Sequence, residues 1–300
     1  MKSAPWQGRG LARLIYFGNS RNMEKELDQL AILAHSGRNA IFRLLMRRYP
    51  DAVPAGEITG ALGLKPSTAS AYLAALREAG LVSQTRTGTS LLYRADTATA
   101  QGLVDFLFAD CCRGRPDICP SSLTLAEKGP GTMPDKTYSV LFICTGNSAR
   151  SIIAETLLRD MGEGRFTVHS AGTTPYSELN PLAVEMLEQK GHDVTGLRAK
   201  NISEFQGPDA PALDFVFTVC DQAANEDCPP WEGQPISAHW GLPDPVKATG
   251  TDAQKMLAFQ QTYGALRNRI AAFTALPLDA LDRVSLQSHL DDIASEGATE

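Results

Sequence analysis

No run of about 18 apolar residues occurs in this sequence, which excludes a helical membrane span. The early apolar patch Leu14–Phe17 is too short for the core of a secretory signal. Histidine is sparse, at five residues in 300, and His169, His192 and His239 have no partners at metal-ligand spacing. They read as structural or surface residues. Cysteine is scarce as well, with six residues and no export signal to go with them. That argues against a disulfide framework and for a reducing, cytoplasmic setting, where thiols act as ligands or reactants. The thiols fall into two groups, Cys111, Cys112 and Cys119, then Cys144, Cys220 and Cys228. No internal repeat is seen.

Three hundred residues, 43% of them hydrophobic, are enough for two domains with separate cores. The net charge of −6 hides an asymmetry. Residues 1–120 hold 15 Lys and Arg against 10 Asp and Glu, whereas residues 121–300 hold 13 against 24. The first part suits a polyanion and the second does not. Residues 113–136, rich in Pro, Gly and Ser, mark the change.

Residues 24–110 carry apolar residues mostly at helical spacing. Helices are expected at Glu24–Ala34, Arg38–Arg48, Gly56–Leu62, Pro66–Ala79 and Thr97–Ala109. Strand-like segments Leu81–Gln84 and Leu91–Arg94 flank a turn at Thr87-Gly88. The short and long helices around Gly63-Leu64 form a helix-turn-helix pattern. The second begins with small hydroxyl side chains able to approach base edges and phosphates, which makes Ser67, Thr68, Ser70, Ala71 and Tyr72 DNA-binding candidates, with Arg86 on the wing. A generic helical domain with a solvated Ser/Thr face fits the pattern about equally well.

Three clustered thiols follow that domain. Cys111 and Cys112 are adjacent, and the Gly/Pro segment between them and Cys119 can fold back. Three thiolates suit a soft three-coordinate ion such as arsenite or antimonite, while zinc would want a fourth ligand and the nearest histidine is His35. The order of elements and the segment LKPSTASAYLAALREAGLV resemble the ArsR family of winged-helix repressors over about residues 25–120. Tyr72 stands where His is common in that family, and Thr89-Ser90 where the wing is often basic. The resemblance implies a homodimer paired through its first and last helices, a palindromic operator, and Cys111, Cys112 and Cys119 as the arsenite ligands.

The second part alternates strands and helices, which implies a parallel sheet with helices on both faces. Strands are expected at Ser139–Cys144, Phe166–Ser170, Phe215–Val219 and Pro235–His239, helices from about Ser151, at Pro181–Lys190 and at Ala253–Phe273. Cys144 ends the first strand, and Arg150 enters the following helix. The intervening Thr145, Gly146, Asn147, Ser148 and Ala149 can aim N–H groups inward as an oxyanion cradle. Arg150 supplies a planar clamp, Ser151 a hydrogen bond to sulfur, and the positive field is expected to keep Cys144 ionised.

Cys-X5-Arg-Ser after the first strand resembles the low-molecular-weight tyrosine phosphatase family and its arsenate-reductase branch, over about residues 137–276. The segments SAGTTP (Ser170–Pro175) and GLPDP (Gly241–Pro245) extend the resemblance, which implies Asp244 as general acid. Cys220 and Cys228 favour the reductase branch, because each supplies a thiol that a phosphatase does not need. Val246-Lys247 also replace the aromatic residues that tend to follow Asp-Pro in phosphatases. The expected organisation is an extension (1–23), a mostly α winged helix-turn-helix domain (24–120), a linker (121–136), an α/β three-layer parallel-sheet reductase domain (137–276) and an acidic, weakly patterned tail (277–300). The expected activity is an arsenite-responsive repressor fused to an arsenate reductase, with no organic cofactor. Electrons would come from thioredoxin or from glutathione and glutaredoxin. A fused tyrosine phosphatase and a non-catalytic oxyanion sensor are the alternatives.

Overall fold

The computed structural model describes residues 24–112, 136–207, 209–226, 231 and 233–296. The 1–23 extension, nearly all of the linker, Cys119 and Cys228 lie outside the described residues. The chain divides into two compact units, one N-terminal and one C-terminal, with Leu44–Ala52 falling in the second. No helix among the described residues is long and apolar enough to cross a membrane.

The first unit runs α1 (24–33), α2 (Ser36–Arg47), β1 (Val53–Pro54), α3 (Ala55–Ala61), α4 (Pro66–Glu78), β2 (Val82–Thr87), β3 (Ser90–Ala95) and α5 (Thr97–Phe106). Pro66 sits at the start of α4, where its missing N–H costs nothing. Gly80 ends the helix at φ +74°, with Gly80 N–H donating to Arg77 O at 2.9 Å and Leu81 N–H to Leu76 O at 3.0 Å. That is a Schellman stop, and its customary apolar contact is available from Leu76 and Leu81, both fully buried. Strands β2 and β3 pair antiparallel from Val82↔Ala95 to Thr87↔Ser90, and β1 adds on the other side of β3. The strands extend beyond the expected segments because hairpin hydrogen bonds also order the polar wing residues. The two-residue connection places Gly88 at φ +59°. Asp96 caps α5 by accepting from Thr99 N–H at 2.8 Å. Helix α5 then widens into a π turn, Leu107–Cys111.

The second unit runs β4 (Tyr138–Cys144), α6 (Arg150–Met161), β5 (Phe166–Gly172), α7 (Pro181–Gln189), β6 (Phe215–Thr218), α8 (Asp221–Asn225), β7 (Ile236–His239), α9 (Asp252–Thr274) and α10 (Arg283–Glu296). The four strands are all parallel, in the order β5-β4-β6-β7, and helices flank the sheet. Strand β4 is buried along nearly its whole length, as a central parallel strand covered on both faces must be. Its apolar neighbours make one core. Phe217 stacks on Trp240 at 4.1 Å and on Phe142 at 5.4 Å, with Phe273 edge-on at 5.3 Å. Because β5 lies on one side of β4 and β6 on the other, the chain diverges at the carboxyl end of β4. A crevice forms at such a switch point, and Cys144 stands there.

The region after Pro277 departs from expectation. Helix α10 occupies most of it and buries Leu286, Leu290, Ile293 and Ala294. Trp240 Nε1–H donates to Leu290 O at 3.3 Å and Gln287 Nε2–H to Ser237 O at 3.0 Å, so the helix is docked on β7. The four apolar positions follow helical spacing, but intervening acids mask the stripe in the sequence.

Candidate active site

The loop between β4 and α6 has its carbonyls turned outward. Thr173, Thr174, Tyr176 and Asn180 donate their N–H groups to the carbonyls of Cys144, Thr145, Gly146 and Ser148, at 2.9–3.1 Å. With these acceptors tied back, the remaining amides are free to serve the loop's interior. Among the described residues, the N–H groups of Gly146, Ser148 and Ala149 have no carbonyl partner. Asn147 takes φ 44°, an αL conformation that Asn tolerates. Gly172 allows the close approach of β5, since a side chain there would meet Thr145 O at 2.6 Å. Five predicted loop residues and the predicted nucleophile are thus in one cradle.

Cys144 is buried. Its sulfur lies 2.9 Å from Ser151 Oγ and accepts Asn147 N–H at 3.1 Å. Burial pushes the thiol above its ordinary range, while these hydrogen bonds pull it back. This differs from the expected ionised sulfur, and the reason is geometric. Arg150 has other partners than the sulfur. Its Nη1 donates to Leu242 O at 2.8 Å, and its Nη2 pairs with Asp244 Oδ2 at 3.0 Å. Asp244 also accepts Val246 N–H at 3.2 Å. The structure therefore brings Arg150 and Asp244 together.

Cys220 caps α8 and is buried beside the same loop. Its sulfur accepts Ala223 N–H at 3.4 Å and lies 3.4 Å from Thr145 Oγ1. Both cysteines are free thiols. His239 hydrogen-bonds Thr218 Oγ1 at 2.8 Å and Asp221 Oδ1 at 3.2 Å, and His192 bonds Tyr263 Oη at 2.8 Å and also Asp160. Both have structural partners.

Two neighbours of the loop escape sequence reading. Tyr176 is exposed, and a side chain at Gly146 would strike its ring at 2.6 Å. Lys200 is buried and donates its backbone N–H to Asn147 Oδ1 at 2.6 Å. No local pattern marks either one. Tyr176 follows SAGTTP directly, and that adjacency was the available signal.

In the first unit, Ser67, Ser70, Ala71 and Arg86 are exposed, and Thr68 is partly so. Tyr72 is half-buried; its ring lies against His35 at 4.8 Å, over the position a Gly37 side chain would fill. Cys111 is exposed on the π turn and Cys112, just after it, is half-buried; both are free thiols.

Residues 139–284 match the family model for low molecular weight phosphotyrosine protein phosphatase, and residues 35–84 that for bacterial regulatory protein, arsR family. An arsenate reductase of Bacillus licheniformis is 35% identical over 136 residues, which cover 45% of this chain and 94% of that protein. A glutaredoxin arsenate reductase of Synechocystis sp. is 32% identical over 131 residues, covering 44% of this chain and 92% of that protein. A solved structure described as an arsenate reductase in the intermediate state is 31% identical with a TM-score of 0.37, and the likeness covers 46% of this chain and 98% of that one. Through its C-terminal unit the chain belongs to the arsenate reductase family built on the low-molecular-weight phosphatase domain, and it carries an arsR-family regulatory domain ahead of it.

Proposed function

We propose that the second unit reduces arsenate to arsenite through Cys144, Cys220 and Cys228, and that the first is an operator-binding repressor released by arsenite. The observation that carries the enzymatic reading is the donor-only cradle around Cys144, with a second free thiol, Cys220, against the same loop. Arsenate, a tetrahedral dianion, fits such a cradle and competes with Asp244 for Arg150.

Sulfur of Cys144 attacks arsenic, an S–As bond forms, and an arsenate oxygen leaves as water. The thiol proton ends on that water, with Asp244, released from the guanidinium, carrying a proton at the leaving oxygen. Cys220 sulfur then attacks Cys144 sulfur. The S–As electron pair stays on arsenic, so As(V) becomes As(III), and a Cys144–Cys220 disulfide remains. Cys228 attacks Cys220, returning Cys144 to its thiol form. A thiol reductant, the dithiol of thioredoxin or two glutathione thiols with glutaredoxin, supplies the two electrons that reduce the Cys220–Cys228 disulfide. The name of the Synechocystis relative supports the glutaredoxin route, and the paired thiols Cys220 and Cys228 favour thioredoxin.

In the first unit, the exposed hydroxyl face of α4 and the wing with Arg86 support major-groove and backbone contacts by a homodimer. Arsenite or antimonite bound by Cys111, Cys112 and Cys119 would bias the end of α5, and with it DNA affinity.

Tyr176 favours a second reading. An exposed ring beside the cradle offers an aryl group a face, as a tyrosine phosphatase requires. One experiment separates the readings. Arsenate reduction coupled to NADPH is measured for the full chain and its Cys144→Ser, Cys220→Ser and Cys228→Ser variants, with thioredoxin and glutaredoxin systems in parallel. Aryl phosphate hydrolysis is measured beside it. Arsenite production that needs all three thiols supports the relay. Efficient aryl phosphate turnover indifferent to Cys220→Ser, with no arsenite formed, overturns it.

A further inference from the structure

The loop that carries Asp244 is tied down through its carbonyls. Among the described residues, Gly241, Leu242 and Pro243 take part in no backbone–backbone hydrogen bond. Two guanidinium groups hold them instead. Arg150, the first residue of α6, donates to Leu242 O at 2.8 Å and pairs with Asp244. Arg269, on α9, donates to Gly241 O at 3.3 Å. A groove of about 1120 Å³ opens beside the loop, lined by Pro243, Asp244 and Lys247 and by Gln261, Thr262 and Asn268 of α9. That face of the loop meets open space, so packing alone does not fix it.

Arg269 is a buried cation without an ion-pair partner among the described residues. It is 5% exposed, and its partners are two backbone carbonyls, Gly241 O and, from Nη2, Ala294 O at 3.2 Å. Its Nε is buried with no partner. Burial pushes the guanidinium below its ordinary range. An apolar side chain of similar volume would avoid that desolvation, so the reason for an arginine lies in what it joins. Ala294 is in the last turn of α10, where carbonyls lack helical partners and carry the negative end of the helix dipole. Helix α10 thus supplies the counter-charge. It lies almost wholly beyond the matched phosphatase-family segment, which ends at residue 284.

The two holds differ in what the substrate does to them. On the enzymatic reading above, arsenate competes with Asp244 for Arg150, so the hold from α6 is given up as the site fills. Arg269 is buried and committed to two carbonyls, so its hold remains. We propose that Arg269 is a positioning residue for Asp244: braced on the end of α10, it keeps the Gly241–Asp244 loop in place once arsenate has taken Arg150. This deepens the reading of Asp244 as general acid and rests on it. The C-terminal helix then serves the active site as well as the core.

The first test needs no turnover. Hydrogen–deuterium exchange of the full chain is followed on peptides covering 241–248, where Val246 N–H bonds Asp244 Oδ1 and Lys247 N–H bonds Asp244 O. Inorganic phosphate is the probe that occupies the Cys144 loop, and Arg150→Met removes the same hold without any ligand. Wild type is expected to exchange slowly with and without phosphate. Arg269→Met is expected to exchange about tenfold faster, both in phosphate and in the Arg150→Met background, with the β4 peptides unchanged. Leu290→Ala, which loosens α10 at a buried contact, is expected to raise exchange in the same peptides by less. A folded Arg269→Met protein whose 241–248 exchange overlays that of its parent in both arms overturns the proposal. Should it fail to fold, Arg269→Lys, which can reach only one of the two carbonyls, decides by the same criterion.

The second test is a double-mutant cycle on arsenate reduction. Arg269→Met is expected to lower kcat about tenfold with KM little changed, and to cost less than about twofold in an Asp244→Asn background. Equal losses in the two backgrounds mean a merely structural role and overturn the proposal. Faster 241–248 exchange in a protein that makes no arsenite would sink the enzymatic reading alone, and unmoved exchange in an active enzyme would sink this inference alone.

Discussion

The two groups of thiols in this chain sit in opposite surroundings. Cys144 and Cys220 are buried, and their sulfurs lie within hydrogen-bond distance of backbone N–H groups and of the Ser151 and Thr145 hydroxyls. Cys111 is exposed and Cys112 half-buried, at the end of a helix that has already slipped from α to π geometry. The contrast fits the two kinds of work proposed above. A nucleophile meant to meet arsenic along one line would need its position settled before the reaction. A sensor thiol would have to be reachable by a free ion and to move its backbone on capture, which a loosened helix end would serve better.

The sharpest way to break this comparison is to remove one sulfur at a time. Cys144→Ser is expected to lower arsenate reduction roughly 10³-fold or more while leaving operator binding unchanged. A steady-state assay paired with a DNA-binding titration checks both halves of that statement. Asp244→Asn is expected to lower kcat about 10²- to 10⁴-fold, the usual worth of a placed general acid. Arg150→Lys is expected to cost about 10²-fold in kcat/KM, because an ammonium cannot reproduce the fork that grips two oxygens. Cys112→Ser tests the other region. It is expected to abolish the effect of arsenite on DNA affinity, about 5- to 150-fold for a coupled ligand, with arsenate reduction intact. Fluorescence anisotropy with the DNA upstream of the protein's own gene reads it.

Two smaller effects sharpen the picture. Burial pushes the Cys144 thiol above its ordinary range, against the pull of its hydrogen bonds to Ser151 and Asn147. Alkylation of Cys144 should therefore keep rising with pH beyond the point where Cys111 has levelled off. Levelling at the same pH would show that the hydrogen bonds outweigh burial. The smallest expected effect is on stability. Asp96→Ala removes the cap of α5 and should cost about 1 kcal/mol in the first unit, seen as a lower Tm with the reductase untouched.

Much of this was legible beforehand because it is local. The buried run of β4, the Cys-X5-Arg spacing and the Pro66-to-Gly80 frame of α4 each declare themselves within a few residues. The hold of Arg269 on Gly241 does not. The two are 28 residues apart, and the arginine alone looks like a solvated surface charge. The pairing of Arg150 with Asp244 was hidden for a similar reason, since the sequence suggests a place for each at the site but not that the two meet. Helix α10 was missed because polar and acidic residues interrupt its apolar stripe, although the stripe has helical spacing.

The outward-turned carbonyls of the loop have one more consequence, for what happens after the chemistry. A loop whose carbonyls are tied back would discriminate by charge as much as by shape. On the proposed reading the arsenate dianion would be gripped there, but arsenous acid, uncharged at neutral pH, would find no anion's reward for staying. Turnover should thus be limited by regenerating the thiols rather than by escape of the product, and inorganic phosphate should be the inhibitor that outlasts it.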